Sequence, residues 1–408
     1  MAQTVTAAQR RNYYFIIGLV VMMQITASTI YMVLPLFYAS VGVSVAENGV
    51  LISIGTFMGI LSGLTAGVLS NRFGRKWILT LGAVIYSVSY FMIAYMGTDF
   101  GSLALSRLVA GIGFYMMPVM VTTMAADIFP AGIRGRAMSL FQATGGVGSL
   151  IGPLIVPLLI FGNDFSHYFL FSAVSIMISG VFMAFIIKET LPSELKSSVN
   201  ESFRKKLNVR GFLTSVRGLG VVVGIFLGAV ILYRTAYTMI DPFLSLYLTK
   251  VLKLNLDSVS VIYATRAMCY IGFSFVGGYL IDRFSKKTVL LLGLAMTTIT
   301  IISYPFTLTF PLMLVLRAWD AASTAILITG IYTSLADLLT AEKRGLGMGI
   351  YSATAQQSST VGSIFSGFLI GAYGFNFVFV TAGIACALSF LIFWRFVPGD
   401  KREDKSSK

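Results

Sequence analysis

Arg234 and Asp241 lie seven residues apart in one long apolar block, and Arg317 and Asp320 lie three apart in another. Arg266 stands in a third, and Arg107 in a fourth. On a helix, spacings of seven and three place two side chains on one face. A charge at the centre of a membrane costs about 2.5–3.5 kcal/mol on insertion scales, so such residues face a partner or a cavity. Two chemistries suit this set. Burial favours a neutral carboxyl and a nearby arginine favours the ionised one, so small rearrangements can load and unload a proton. Three arginines against two aspartates leave one positive charge in the second half of the chain, which invites an anion or a carboxylate-bearing zwitterion. The bland alternative is that Arg317–Asp320 and Arg234–Asp241 merely lock helices. Asp241 precedes Pro242, where a helix is weakened and free to respond to opening and closing. Arg107, about eight residues into its block, has a bland reading too: it snorkels to the outer interface.

Elements that cross a membrane must carry these groups. The 408 residues are 56% hydrophobic and only 11% charged, with a mean hydropathy of +0.84, against about 25% charged in a soluble protein. Apolar blocks near the length of a membrane-crossing helix fall at 13–41, 48–69, 77–97, 101–126, 136–160, 166–187, 218–247, 257–281, 287–306, 309–337, 345–371 and 375–397. The reading is an all-α membrane protein of twelve transmembrane helices. The net charge of +14 does not point to nucleic acid. With the amino terminus inside, 24 of the 30 Lys and Arg fall in cytoplasmic segments and only Lys250 and Lys253 face outward. That asymmetry places both termini in the cytoplasm. Cys269 and Cys386 read as buried thiols, and the lone His167 as structural. No cleavable signal peptide, metal-ligand cluster, nucleotide loop or nucleophile–base pair is apparent, so no enzyme activity and no cofactor or metal are expected, and an ion gradient is the energy source.

The chain repeats itself at a spacing near 210. RGRAMSLFQAT (Arg134–Thr144) aligns with RGLGMGIYSAT (Arg344–Thr354), and Asp127, Arg107 and Gly152 align with Asp337, Arg317 and Gly362. GVLSNRFGRK (Gly67–Lys76) aligns with GYLIDRFSKK (Gly278–Lys287), and YMVLPL (Tyr31–Leu36) with TMIDPF (Thr238–Phe243). The plan is two pseudo-symmetric six-helix bundles at 1–187 and 218–397, a cytoplasmic central loop at 188–217 and a basic tail at 398–408. Parallel repeats of this kind are a transporter design, with the site at mid-depth.

These residues resemble the major facilitator superfamily, and within it the twelve-span drug/proton antiporters. The strongest piece is the loop after the second helix, where the family pattern G-x-L-a-D-R-x-G-R-K is met by Gly67, Leu69, Asn71, Arg72, Gly74, Arg75 and Lys76. The resemblance implies a gating role there and for the second copy at Gly278, Asp282 and Arg283. The family aspartate that latches the outward-facing state is Asn71 here, which carries no charge for a helix dipole. On the fourth helix, Leu103, Arg107, Gly111 and Gly113 match L-x-x-x-R-x-x-q-G-x-G, with Ala110 in place of the glutamine; in relatives this arginine is tied to proton coupling. On the fifth, Gly148, Gly152 and Pro153 match part of an exporter pattern, whose final glycine pair is Val156–Pro157 here.

The expectation is a proton-coupled secondary transporter of the cytoplasmic (inner) membrane, exporting a small amphipathic or carboxylate-bearing molecule by alternating access. Uptake of an organic anion with protons, or a non-transporting ligand sensor on the same fold, are the alternatives. Arg234, Arg266, Arg317, Tyr237, Gln24, Tyr31, Gln142 and Trp319 are the expected substrate-binding residues, with Asp241, Asp320 and Arg107 coupling to protons. The partners are a small molecule, protons and the lipid bilayer. One chain supplies both bundles, so a monomer is expected.

Overall fold

A computed structural model describes residues 6–191, 220–339 and 344–397. The chain divides into two compact units, Met1–Val209 and Arg210–Lys408. The first contains α1 (Ala7–Ala27), α2 (Ile30–Ser40), α3 (Val45–Phe73), α4 (Arg75–Tyr95), α5 (Phe100–Ile128), α6 (Ala131–Leu159) and α7 (Ser166–Ile186). The second contains α8 (Val221–Thr238), then short irregular turns from Asp241 to Val251, then α9 (Leu256–Arg283), α10 (Lys286–Ser303), α11 (Phe310–Leu338), α12 (Arg344–Tyr373) and α13 (Phe375–Phe396). Among the described residues the one strand-like feature is an isolated bridge between Phe161 and Asp164.

Among the described residues ten stretches are long and apolar enough to cross a membrane, by length and composition; α1 and α2 together form the first of them. The remaining long helices, α6 and α12, have 29 and 30 residues and occupy the fifth place in each unit. The tail at 398–408 and all of the expected central loop beyond Leu191 lie outside the described residues.

Local chemistry sets where helices begin. Thr6 with Gln9 and Ser44 with Glu47 form reciprocal capping boxes at α1 and α3, and Asp99, Asn255 and Ser285 cap α5, α9 and α10. Each satisfies N–H groups that a helix start leaves open. Between α7 and the preceding turn, Asp164 accepts the Ser166 N–H at 2.8 Å, which holds its carboxyl below the usual range, and lies 3.7 Å from His167 Nδ1.

The two units are packed by the same scheme. In the first, α5 packs on α3 and α4, α4 on α7, and α1 on α6 and α7; in the second, α11 packs on α9 and α10, α10 on α13, and α8 on α12 and α13. The first crossing of each unit is also broken near its middle, at Ser28–Thr29 and after Thr238. At each break a hydroxyl bonds a carbonyl of its own helix, Ser28 to Ile25 and Thr238 to Thr235, both at 3.1 Å, and also reaches a carbonyl of the neighbouring helix. Ser28 Oγ donates to the Gly148 carbonyl at 2.7 Å, and Thr238 Oγ1 to the Ser358 carbonyl at 2.8 Å. Gly148 and Ser358 are equivalent positions, 210 residues apart.

Candidate functional site

The second unit gathers charge around one carboxylate. Asp320 on α11 is 1% exposed, and its Oδ2 accepts from Arg266 Nε on α9 at 2.7 Å and from Arg317 Nη1 at 2.9 Å. Tyr237 of α8 donates to the same oxygen at 3.4 Å, while its own hydroxyl accepts from Arg266 Nη2 at 2.5 Å. Arg317, 2% exposed, also donates to the Tyr304 hydroxyl at 3.1 Å and lies over the Tyr263 ring, 5.4 Å from its centroid. Asp241 stands 4.0 Å from Arg317 Nη2 and is 29% exposed. A small cavity among Tyr237, Asp241, Tyr304, Arg317 and Asp320 leaves ≈ 10 Å³ for the centre of a water-sized sphere, about one water. The donors all meet one oxygen: Oδ1 of Asp320 is buried without a hydrogen-bond partner among the described residues.

This arrangement corrects one of the pairings expected from spacing. Arg317 and Asp320 do pair, one turn apart on α11. Arg234 and Asp241 do not: among the described residues no ion pair joins them. The seven-residue rule needs an unbroken helix, and α8 stops at Thr238 before a one-turn 3-10 segment starts at Asp241. Asp241 turns to Arg317 instead, and Arg266, which had no assigned partner, takes Asp320. Arg266, Arg317, Asp241 and Asp320 therefore sum to zero if all are ionised. The surplus positive charge stays on Arg234, which neighbours Tyr233 and Tyr351.

In the first unit, Arg107 does not reach an exposed interface. It is 6% exposed on α5, and its guanidinium lies against Gly55 of α3, where an added Cβ would stand 2.7 Å from Nη2. It lines a cavity with ≈ 80 Å³ for water-sized sphere centres, together with Tyr31, Tyr86, Ala110, Phe114 and Tyr115. Gln24 lines a second, more apolar cavity, of ≈ 50 Å³ on the same measure, with Met23, Phe114, Met117 and Phe141. The side chain of Gln142 lies outside the described residues. Trp319 is 44% exposed, away from the buried face that holds Arg317 and Asp320.

The turn between α3 and α4 is held by a separate network. Arg75, 5% exposed, donates to Asp127 Oδ2 at 3.2 Å, to Ser70 Oγ at 2.5 Å and to Asn71 Oδ1 at 2.6 Å. In the second unit, Lys286 pairs with Asp337, the equivalent join.

These features, two alike bundles with charge buried inside them, agree with comparison to known proteins. The Major Facilitator Superfamily model matches residues 14–233 and 226–408. The chain belongs to the major facilitator superfamily. It is 27% identical over 214 residues to the quinolone resistance protein NorA of Staphylococcus aureus strain MSSA476, an alignment covering 51% of this chain and 52% of that one. The chain thus spans about half the length of the first NorA sequences it matches. It is 23% identical over 386 residues to a Na(+), Li(+), K(+)/H(+) antiporter of Planococcus maritimus, covering 87% and 88%. Among solved structures it resembles the nucleoside transporter NupG, with a TM-score of 0.78 at 15% identity, covering 94% and 98%. The facilitator superfamily consists of multi-pass membrane transporters rather than enzymes.

Three superfamily motifs now have positions. Gly74 has φ +99°, a region essentially reserved for glycine. An added Cβ would also run into the Glu189 carboxylate. That carboxylate, which the sequence did not single out, accepts the N–H groups of Arg75 at 2.9 Å and Lys76 at 3.3 Å. It thereby caps α4 from the residue stretch that follows α7. Gly74→Ala is expected to lower unfolding stability by about 2 kcal/mol, read as a fall in midpoint in a detergent-based unfolding titration; an unchanged midpoint would show the turn relaxes freely. Arg72 and Lys76 lie over Phe73 and Trp77, and Arg283 over Tyr279. Asp282 is exposed. A Cβ at Gly67 or Gly278 would meet no atom within 4 Å, so neither glycine is required by packing in its own bundle. On α6, Gly148 and Gly152 are tightly packed: a Cβ at Gly148 would meet the Gln24 backbone at 2.5 Å, and one at Gly152 would strike the Ile25 carbonyl. Pro153 lies next to this contact, inside the helix.

Proposed function

We propose that this chain is a proton-coupled secondary transporter that exports a small amphipathic or carboxylate-bearing organic molecule. The observation carrying the reading is Asp320, a buried carboxylate shared by arginines from two helices, with one oxygen unpartnered. Substrate contacts are proposed for Arg234, Arg266, Arg317, Tyr237, Gln24, Tyr31 and Gln142; Trp319, on a different face of α11 from Arg317 and Asp320, is left out of the set. Asp241 and Asp320 carry the proton. Asp241 is the accessible end of the pair, on a turn where α8 has already broken. A proton there removes the attraction to Arg317, which then keeps Asp320 as its charged partner. A proton passed on to Asp320 leaves Arg266 and Arg317 without their shared counter-charge, so α9 and α11 lose the ionic bond that joins them. Loss of the proton restores it. This is a two-state element biased by one charge, the kind of device alternating access needs. The names of the similar proteins, a quinolone resistance protein and a cation/proton antiporter, support export against protons. The basic asymmetry supports a cytoplasmic membrane location with both termini inside.

The test is proton movement in proteoliposomes under an imposed pH gradient, with organic anions, zwitterions and lipophilic cations added in turn. Ligand-evoked flux is expected, and Asp241→Asn is expected to reduce it at least tenfold. Equal flux in the variant would remove Asp241 from the proton path.

A further inference from the structure

The two units are repeats, but their buried arginines are treated differently. Arg107 and Arg317 are equivalent at the 210-residue offset, and so are Ala110 and Asp320. Arg317 and Asp320 line the small cavity of the second unit; Arg107 and Ala110 line the larger cavity of the first. Where the second unit has a carboxylate one turn from its arginine, the first has a methyl group and open space. That space admits several water-sized groups, since about 10–15 Å³ on this measure holds one water and the cavity offers ≈ 80 Å³.

Among the described residues of the first unit no acid pairs with Arg107. The unit's long helices contain two acids, Glu47 and Asp127. Glu47 is committed to the Ser44 cap and Asp127 to Arg75. Among the described residues Arg107 forms no ion pair, and its buried Nε has no hydrogen-bond partner. A guanidinium buried this deeply without a counter-charge is costly, and a planar carboxylate matches its fork of donors. Gly55 keeps the guanidinium in place against α3, and the aromatic walls at Tyr31, Phe114 and Tyr115 suit a ring or chain attached to the anion.

We propose that this cavity is a binding site for the carboxylate group of the transported molecule, which stands in for the acid that Asp320 supplies in the second unit. The inference rests on the transporter reading for its purpose, but its test does not use transport. The purified full-length protein in detergent is unfolded thermally with sodium benzoate, with benzamide and with sodium chloride at equal ionic strength. Benzoate is expected to raise the midpoint by about 2–4 °C, the scale of a modest ligand, while benzamide and chloride give no shift. Arg107→Gln is expected to lose the benzoate shift. Ala110→Asp is expected to lose it too, while unfolding at no lower temperature than the unsubstituted chain without ligand, because the cavity then holds its own carboxylate. Equal shifts from benzamide would mean an apolar pocket, and equal shifts from chloride a simple halide site; either overturns the proposal. So does a benzoate shift that survives in both variants. The measurement needs no gradient, so failure of proton flux leaves it standing, and its own failure leaves the flux test standing.

Discussion

Asp320→Ala is expected to destabilise the protein by about 3–5 kcal/mol, the usual consequence of removing one partner from a buried charge cluster. Two arginines lose their shared acceptor at once: Arg317 is 2% exposed, and Arg266 is 24% exposed, so water reaches Arg266 more readily than Arg317. The Tyr237 hydroxyl keeps Arg266 Nη2 as a partner, and Tyr304 keeps Arg317 Nη1, so the cluster rearranges rather than vanishing. Asp320→Asn retains an oxygen acceptor and is expected to recover about half of the loss. Unfolding by denaturant in detergent reads both. Proton flux separates stability from coupling: the asparagine variant is expected to fold and still show at least a tenfold loss of ligand-evoked flux. Should Asp320→Ala unfold with the midpoint of the unsubstituted chain, the cluster is not what joins α9 to α11.

Gly148→Val is expected to cost about 3 kcal/mol, the upper part of the range for overpacking. The atoms in the way are the Gln24 main chain, 2.5 Å from the Cβ position, and main chain cannot swing aside as a side-chain tip does. Relief requires α6 to move off α1, which also stretches the Ser28 bond to the Gly148 carbonyl. Gly362, at the position equivalent to Gly152, faces Thr238 and the Thr235 carbonyl of α8 in the same manner. Substituting valine at Gly67, where nothing lies within 4 Å, is the matched control and is expected to shift the unfolding midpoint by less than about 0.5 kcal/mol equivalent. Equal losses at the two positions would mean that α6 and α1 are not held in register by this contact.

What was legible in the sequence follows from how local each relation is. Block lengths and the 210-residue repeat reveal the all-helical membrane architecture because they need no knowledge of packing. The Arg317–Asp320 pair was readable because one unbroken helix carries both residues. The Arg234–Asp241 pairing failed because α8 ends at Thr238, between the two residues, and periodicity says nothing across a break. Arg266 finds Asp320 across 54 residues, Tyr304 finds Arg317 from the end of α10, and Glu189 caps α4 from 114 residues away. Such partners are set by which helices pack together, and no spacing encodes that. From position alone Arg107 could snorkel to the interface. The structure instead buries it against Gly55, a residue with no charge, no hydroxyl and no motif to draw notice.

The paired stitches at Ser28 and Thr238 bear on how such a chain diverges. In both units the donor is a side-chain hydroxyl and the acceptor is a main-chain carbonyl. The acceptor's identity is therefore under no constraint beyond size, which is why glycine serves at one and serine at the other. The donor must only be serine or threonine. In the alignment of YMVLPL with TMIDPF, Thr238 falls opposite Tyr31, so residue-by-residue scoring does not pair the two donors, although the bond is the same. Ancestry of this kind is stored in main-chain geometry, where drift in the side chains does not erase it.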